Sequence, residues 1–179
     1  SSARHGELLV RQDEVHWQGR TTVVLDTRAR THHGESFEVA VSAAASIVSA
    51  GWKRRDLLRL VTTGGYDSGF SAGQQHVEQI LEELAIVKAT SVGSLRGVIE
   101  GLPRLGATSV VVLVGDVPEP ELHGLLAMPG RIGLVTVVSI DRRSTPVPGH
   151  KDIVACGEGR PFADAWNMHM TARRRSRSA

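Results

Sequence analysis

Apolar runs alternate along this chain with stretches in which apolar positions recur every three or four residues. The alternation predicts an α/β fold, a three-layer α/β/α domain built on a mostly parallel, doubly wound sheet. Strands are predicted at 21–25, 57–63, 109–114 and 132–140, with weaker candidates at 6–12 and 152–156. Helices are predicted at 36–54, from Ser71 through Val87, from Ser91 to near Pro103, at 118–128 and from Phe162.

The helical stretches carry recognisable apolar stripes and start signals. In the first helix the stripe comprises Phe37, Ala40, Val41, Ala44, Ile47 and Val48, and the small residues between them favour close packing on a sheet. Ser36 is a candidate cap for that helix. Ser71 and Gln74 form a capping-box pattern before the second. In the third, Val92, Leu95 and Val98 are predicted to point inward.

Composition supports a single domain with an aliphatic core. Hydrophobic residues make up 41% of the 179 residues but aromatic residues only 4%, as expected for a parallel sheet covered by helices. We assign 1–20 to an N-terminal edge segment, 21–170 to the domain and 171–179 to a disordered basic tail. The single cysteine, Cys156, excludes an internal disulfide and is interpreted as a buried or bystander thiol.

The net charge of +2 is concentrated at the end of the chain. Four of the 21 basic residues are arginines of the last nine positions, so the rest of the chain holds fewer basic than acidic residues, of which there are 19. This distribution argues against a nucleic-acid-binding face on the folded body. No uncharged run is long enough to span a bilayer, and the absence of an initiator Met indicates a fragment of a longer protein.

The chemistry of the chain converges on the stretch TTVVLDTRAR at 21–30. The apolar strand delivers Asp26 to its C-terminal end, and the strand at 109–114 delivers Gly115-Asp116 to the same edge of the sheet. In open α/β sheets ligands and partners dock at this edge. The loops after Asp26, Thr63 and Asp116 are therefore expected to meet there.

Asp26 begins a sequence that resembles the metal-binding motif of the von Willebrand factor A fold, D-x-S-x-S. Asp26 matches the first Asp, Thr27 fills a free position, Asp116 resembles a later Asp ligand, and Arg28 and Arg30 replace both serines. A guanidinium has no lone pair for Mg²⁺, so the metal site is predicted to be lost. One alternative is that Asp26 simply forms a salt bridge with one of the arginines and holds the loop. The other is that the arginines bind a partner carboxylate directly.

The N-terminal third resembles the C-terminal domain of the bacterial family called domain of unknown function 58. The resemblance rests on Ser2-Ala3-Arg4, Gly6-Glu7-Leu8 and Val10-Arg11, followed by a strand ending in Leu25-Asp26-Thr27. It implies a von Willebrand A module with a degenerate metal site, anchored to the cytoplasmic side of the bacterial membrane by a preceding pair of helices. It also implies a protein partner of the MoxR-type AAA+ ATPase class, and no enzymatic reaction or cofactor. The partner surface would comprise Asp26, Thr27, Arg28, Arg30 and Asp116.

A serine hydrolase is the competing interpretation. Residues 69–73, GFSAG, fit G-x-S-x-G, with Asp116 and then His123 or His150 in Ser, Asp, His order. The motif requires its serine directly after a strand, however, whereas the apolar run ends at Thr63. His32-His33 is interpreted as a solvated loop pair, and no nucleotide-binding glycine motif is present.

Overall fold

The sheet has the predicted α/β architecture. A computed structural model describes residues 19–102, 109–127, 134–140 and 152–178. Within them the five strands are β1 (Arg20–Leu25), β2 (Leu57–Thr62), β3 (Ser109–Val114), β4 (Leu134–Ile140) and β5 (Ile153–Cys156). Their order is β2-β1-β3-β4-β5 and every neighbouring pair is parallel. The candidate edge strand at 6–12 lies outside the described residues.

In the same ranges, five helices cover the two faces of this sheet. They are α1 (Ser36–Lys53), α2 (Gln74–Ile86), α3 (Leu95–Gly101), α4 (Glu119–Leu126) and α5 (Phe162–Arg177). Helices α1, α2 and α5 pack on one face, and α3 and α4 pack on the other. The interior strands are therefore buried on both faces, which is why they appear in the sequence as continuous aliphatic runs. None of the helices within the described residues is long and apolar enough to cross a membrane.

Helix α1 packs closely on the sheet, as its small residues predicted. A Cβ added at Gly51 would lie 2.6 Å from a methyl carbon of Leu58, so any side chain at this position would force Leu58 to move. Most of the predicted stripe is buried, but Phe37 and Val41 are only partly buried. Ser36 is the first residue of the helix and not its cap, although its Oγ accepts a hydrogen bond from the backbone N–H of His33 at 2.9 Å.

The prediction that Ser71 caps α2 is wrong. The helix begins at Gln74 after Gly73, whose φ is +90°. Ser71 instead exchanges two backbone hydrogen bonds with Leu58, at 3.0 and 3.2 Å, and Ser68 donates to the Leu60 carbonyl at 2.9 Å. The segment 66–71 thus runs antiparallel along β2 and satisfies backbone groups that this strand would otherwise leave unpaired at the sheet edge.

The chain crosses from one face of the sheet to the other between α2 and α3. Helix α3 starts only at Leu95, where the Ser94 hydroxyl accepts from the Gly97 N–H at 3.0 Å. Val92 precedes the helix and is 68% exposed, so the prediction that it points inward is wrong. The crossing passes over the carboxyl edge, which we define as the edge formed by the C-terminal ends of the strands.

The basic tail also differs from expectation. Residues 171–177, expected to form a disordered tail, continue α5 as far as Arg177. The reason is tertiary: Phe162 and Trp166 pack against the core and Ala165 is buried within it, so the helix is nucleated before the arginines begin. Once nucleated, a helix extends readily through arginine, which is a good helix former.

Candidate functional site

Asp26 lies at the centre of the carboxyl edge and is completely buried. Its backbone N–H donates to the Leu113 carbonyl of β3 at 2.9 Å, which extends the sheet by one residue. Its carbonyl oxygen lies 2.7 Å from Nε2 of His32. Because a carbonyl can only accept, His32 donates here. His32 is therefore a half-buried structural residue, and its interpretation as a solvated loop histidine is wrong.

Five hydrogen bonds converge on the Asp26 carboxylate. Arg28 donates three of them, from its backbone N–H (3.1 Å), Nε (2.8 Å) and Nη2 (2.9 Å). The hydroxyls of Thr31 and Thr63 donate at 3.0 and 3.2 Å. Burial by itself raises the pKa of the Asp26 carboxyl, but the hydrogen bonds and charge of Arg28 lower the pKa below its ordinary value. Asp26 is thus a buried, ionised and fully partnered group.

Arg28 joins Asp26 to a second carboxylate, that of Glu121 in the first turn of α4. Its Nη1 and Nη2 lie 3.0 and 2.9 Å from the two Glu121 oxygens. The hydrogen bonds to the two carboxylates raise the pKa of Arg28, and the hydrogen bond from Arg28 lowers the pKa of Glu121. We call Asp26, Arg28 and Glu121 the latch. It connects the loop after β1 with α4, across 93 positions of sequence.

The backbone around Arg28 is held from the neighbouring strand and from the crossing segment. The Thr27 N–H donates to the Thr63 hydroxyl at 2.8 Å. Thr90 donates to the Thr27 carbonyl at 2.7 Å and accepts from the Ala29 N–H at 2.8 Å. The loop after β1 is therefore pinned on the side of β2, independently of the latch.

The other side of the loop is pinned by the end of β3. The Asp116 N–H donates to the Thr31 carbonyl at 2.6 Å. A Cβ added at Gly115 would lie 1.9 Å from that same carbonyl oxygen, so a side chain cannot be accommodated here. The loops after Asp26, Thr63 and Asp116 thus meet, as the sequence predicted.

The rim of this edge is charged and open to solvent. Arg30, His33 and Asp116 are exposed, and the His33 Nε2 lies 3.7 Å from an Asp116 carboxylate oxygen. Of the five residues predicted to form a partner surface, Arg30 and Asp116 are accessible. Asp26, Thr27 and Arg28 are at most 2% exposed. The expectation that Arg28 presents its guanidinium to a partner is therefore not met in this conformation.

The donor set does not fit the Mg²⁺ ion that the von Willebrand motif would imply. That ion needs a near-octahedral shell of oxygen ligands, but both Asp26 oxygens already accept from Arg28. The Asp116 carboxylate is directed to the solvent-exposed rim beside His33. Across the described ranges, no group of three or more His, Cys, Asp or Glu side chains could hold a metal ion.

Sequence reasoning missed Glu121, Thr31 and His32 as parts of this site. Each is a polar residue in a polar stretch, where nothing marks it as different from a solvated neighbour. Glu121 in particular carries no signal, because acidic residues at the start of a helix are common on electrostatic grounds alone. Only the folding of α4 beside the loop brings it to Arg28.

The geometry does not support the serine hydrolase. Ser71 pairs with Leu58, which is level with the start of β3, whereas Asp116 follows the end of that strand. About seven residues of strand and loop separate the two levels, about 20 Å at the usual rise. His123 also belongs to α4, which follows Asp116, and His150 lies outside the described residues.

Together these features define a three-layer α/β domain with a parallel, doubly wound sheet, in which the latch lies at the carboxyl edge and exposed charged side chains surround it. By sequence, no family model and no curated protein matches the chain.

Two of the solved structures that are similar to this chain show the level of likeness. The conserved hypothetical protein BatB from Bacteroides thetaiotaomicron shares 13% identity at a TM-score of 0.49, over 74% of this chain and 73% of that one. Proximal thread matrix protein 1 from the mussel byssus shares 14% identity at a TM-score of 0.46, over 70% of this chain. The chain spans only 37% of the length of the mussel protein.

Proposed function

We propose that this domain is a non-enzymatic protein-interaction module that works through the carboxyl edge of its sheet without a bridging metal ion. The observation that carries the proposal is the latch. A guanidinium lies between two carboxylates, 2.8 Å from Asp26 and 2.9 Å from Glu121. Arg28 thus bridges both carboxylates by itself, and no metal ion is needed to hold the loop after β1 against α4.

The contact surface would be the rim around the latch. Arg30 is exposed in the middle of a short 3₁₀ turn, and Asp116 and His33 are exposed on the same rim. A guanidinium pairs with a carboxylate in a bidentate manner and without an ion. Arg30 is therefore the residue that we expect to meet a partner carboxylate, while Arg28 holds the loop from which Arg30 projects.

The resemblance of residues 2–50 to the domain of unknown function 58 family supports a finer proposal. In this proposal the domain is held at the cytoplasmic side of a bacterial membrane by a segment outside this sequence, and its partner is a MoxR-type AAA+ ATPase.

The test is a binding titration of a purified MoxR-type ATPase against the domain and its Arg30→Glu variant. Loss of a desolvated charged contact in an interface typically costs about 2–5 kcal/mol, so the variant is expected to bind at least about tenfold more weakly. If the domain alone is stripped of divalent cations with a chelator before the titration, its affinity for the ATPase should be unchanged. Lys53→Glu, at the far end of α1 on the opposite edge of the sheet, is the matched control and should bind like the wild type.

Three results would contradict the proposal. They are the absence of binding, equal affinity of wild type and Arg30→Glu, and equal weakening by Lys53→Glu. A separate labelling experiment addresses the alternative. Reaction with a fluorophosphonate probe that disappears in Ser71→Ala would show a hydrolase, in spite of the distance between Ser71 and Asp116.

A further inference from the structure

A second candidate site lies at the amino edge, which we define as the edge formed by the N-terminal ends of the strands, opposite the latch. A cleft of about 460 Å³ opens there between the end of α1, the sheet and α5. Cavities of a few hundred Å³ are typical of small-molecule sites. We call this cavity the arginine cleft.

Three arginines of α5 give the cleft its charge. Arg173, Arg174 and Arg177 line it, together with Arg54 from the end of α1. Positions 173 and 177 are one helical turn apart and therefore share a face of α5. Arg20 also borders the cleft, but its guanidinium lies over the Phe70 ring at 5.7 Å.

The acidic group in the cleft does not balance these charges. Asp56 already accepts hydrogen bonds from Nε and Nη2 of Arg54, at 3.2 and 2.9 Å, and from the Thr21 hydroxyl at 3.2 Å. Within the described part of the chain, no carboxylate forms an ion pair with Arg173, Arg174 or Arg177. Arg173 makes one long hydrogen bond, from Nη1 to the Thr136 hydroxyl at 3.5 Å.

Among the described residues, Arg173 lacks the carboxylate partners that Arg28 has in the latch. Partial burial and the charge of Arg177 lower the pKa of Arg173, with Asp152 as a partial offset. The two carboxylates of the latch raise the pKa of Arg28. Arg173 is thus partly buried next to the like charge of Arg177 and forms no ion pair with a carboxylate of the described ranges, so an anion bound beside it would relieve an unfavourable interaction.

We propose that the arginine cleft binds a phosphate-bearing ligand with two or more negative charges. A guanidinium offers five N–H donors in a planar fork that fits the terminal oxygens of a phosphate. Several such forks face one small cavity, so they suit charge that is concentrated in a small volume. An acidic peptide spaces its single charges along an extended backbone, about 3.3 Å per residue, and is less suited to a cleft of this size. Trp166 and Met170 form an apolar wall beside the arginines that can contact the body of the ligand.

The phosphate can come from a soluble molecule or from a lipid headgroup, and the experiment separates the two. Calorimetric titration at low salt with sodium pyrophosphate and with ATP tests the soluble source. Co-sedimentation with phosphatidylglycerol vesicles, against phosphatidylcholine vesicles, tests the headgroup. Saturable binding of at least one of these probes is expected, weakened at high salt because charges are screened.

Variants of α5 provide the decisive comparison. Arg174→Gln is expected to weaken binding several-fold and Arg173→Gln with Arg177→Gln at least tenfold. The controls remove the same charge outside the cleft. Arg175→Gln matches the single variant, and Lys53→Gln with Arg175→Gln matches the double. Both controls should stay within about twofold of the wild type. Arg174 is exposed, so the single variant is informative even if the double variant does not fold.

Four outcomes would overturn the proposal. The first is that no probe binds saturably, and the second is that the cleft variants and their controls weaken binding equally. The third is that the protein sediments equally with both kinds of vesicle and binds no soluble phosphate. The fourth is that a glutamate-rich peptide binds more tightly than pyrophosphate and ATP. Binding to phosphatidylglycerol vesicles alone, weakened several-fold in Arg174→Gln but not in Arg175→Gln, would support the proposal with a lipid headgroup as the source. Because the arginine cleft and the Arg30 rim lie on opposite edges of the sheet, failure of either experiment leaves the other unaffected.

Discussion

Replacement of Arg28 by methionine tests the central energetic claim about the latch. Methionine approximates the length of the side chain and keeps the backbone N–H. The Asp26 carboxylate therefore retains three of its five donors, namely the backbone N–H at position 28 and the hydroxyls of Thr31 and Thr63. It loses its ion pair while it stays completely buried. Removal of one partner of a buried ion pair typically costs about 3–5 kcal/mol. Since the three remaining donors still stabilise the carboxylate, we expect the free energy of unfolding to fall by an amount near the lower end of this range, about 3 kcal/mol.

That loss is large beside the total stability of a domain, which is usually about 5–15 kcal/mol. In a chain of this length it corresponds to a fall in melting temperature of roughly 6–12 °C. Urea unfolding followed by circular dichroism at pH 7 measures it directly. Glu121→Gln is the comparison variant, because it leaves the contact between Arg28 and Asp26 in place and changes a carboxylate that is 34% exposed. It should cost clearly less, about 1–2 kcal/mol.

The pH dependence provides a second and sharper measurement. In the wild type the pKa of Asp26 is lower in the folded state than in the unfolded state. Asp26 therefore contributes stability above its unfolded pKa of about 3.9, and this contribution is lost as the pH falls through the lower folded value. Without Arg28, burial dominates and raises the folded pKa above the unfolded one. The buried carboxylate then destabilises the variant at neutral pH and is relieved by protonation as the pH falls.

The stability difference between wild type and Arg28→Met should consequently narrow as the pH falls from about 7 toward the unfolded pKa of about 3.9. A cost below about 1 kcal/mol at pH 7, or a difference that stays constant over this range, would refute the reasoning. Either result would mean that Asp26 is adequately stabilised by the hydroxyls and the backbone, and that the guanidinium is dispensable.

Two further predictions concern close packing. Gly115→Ala places a Cβ 1.9 Å from the Thr31 carbonyl oxygen and should lower the free energy of unfolding by about 2 kcal/mol or more. Gly124→Ala, in open space on α4, should instead raise the free energy of unfolding by up to about 1 kcal/mol. Equal effects of the two variants in thermal melts would contradict the close approach of the two loops. Burial raises the pKa of the Cys156 thiol to about 11, so a thiol-reactive disulfide reagent at about pH 8 should label it slowly in the folded protein and at once in guanidinium chloride. Fast labelling under native conditions would show that the end of β5 is open.

The residues of the carboxyl edge show which features of the site can be predicted from the sequence and which cannot. The position of Asp26 at the end of a buried strand, and of Asp116 at the same edge, followed from apolar runs alone. Whether Arg28 would bind Asp26 or a partner stayed open in the sequence, since both outcomes use the same charges. The fold decided it, because Glu121 of α4 supplies a second carboxylate and the Arg28 side chain is buried between the two.

The sequence by itself determined the fold class and most element boundaries, because burial on both faces of a parallel sheet requires continuous aliphatic runs such as Ser109–Val114, which matches β3 residue for residue. It failed where a distant partner outcompeted a local preference. The local sequence around Ser71 favours a helix cap, yet the backbone of Ser71 forms hydrogen bonds with the edge strand β2 instead. The arginines after Ala172 have the composition of a disordered tail, yet the apolar stripe of α5 extends the helix through them. In each case the deciding interaction depends on groups that are close in space but separated in sequence, and only the tertiary structure brings them together.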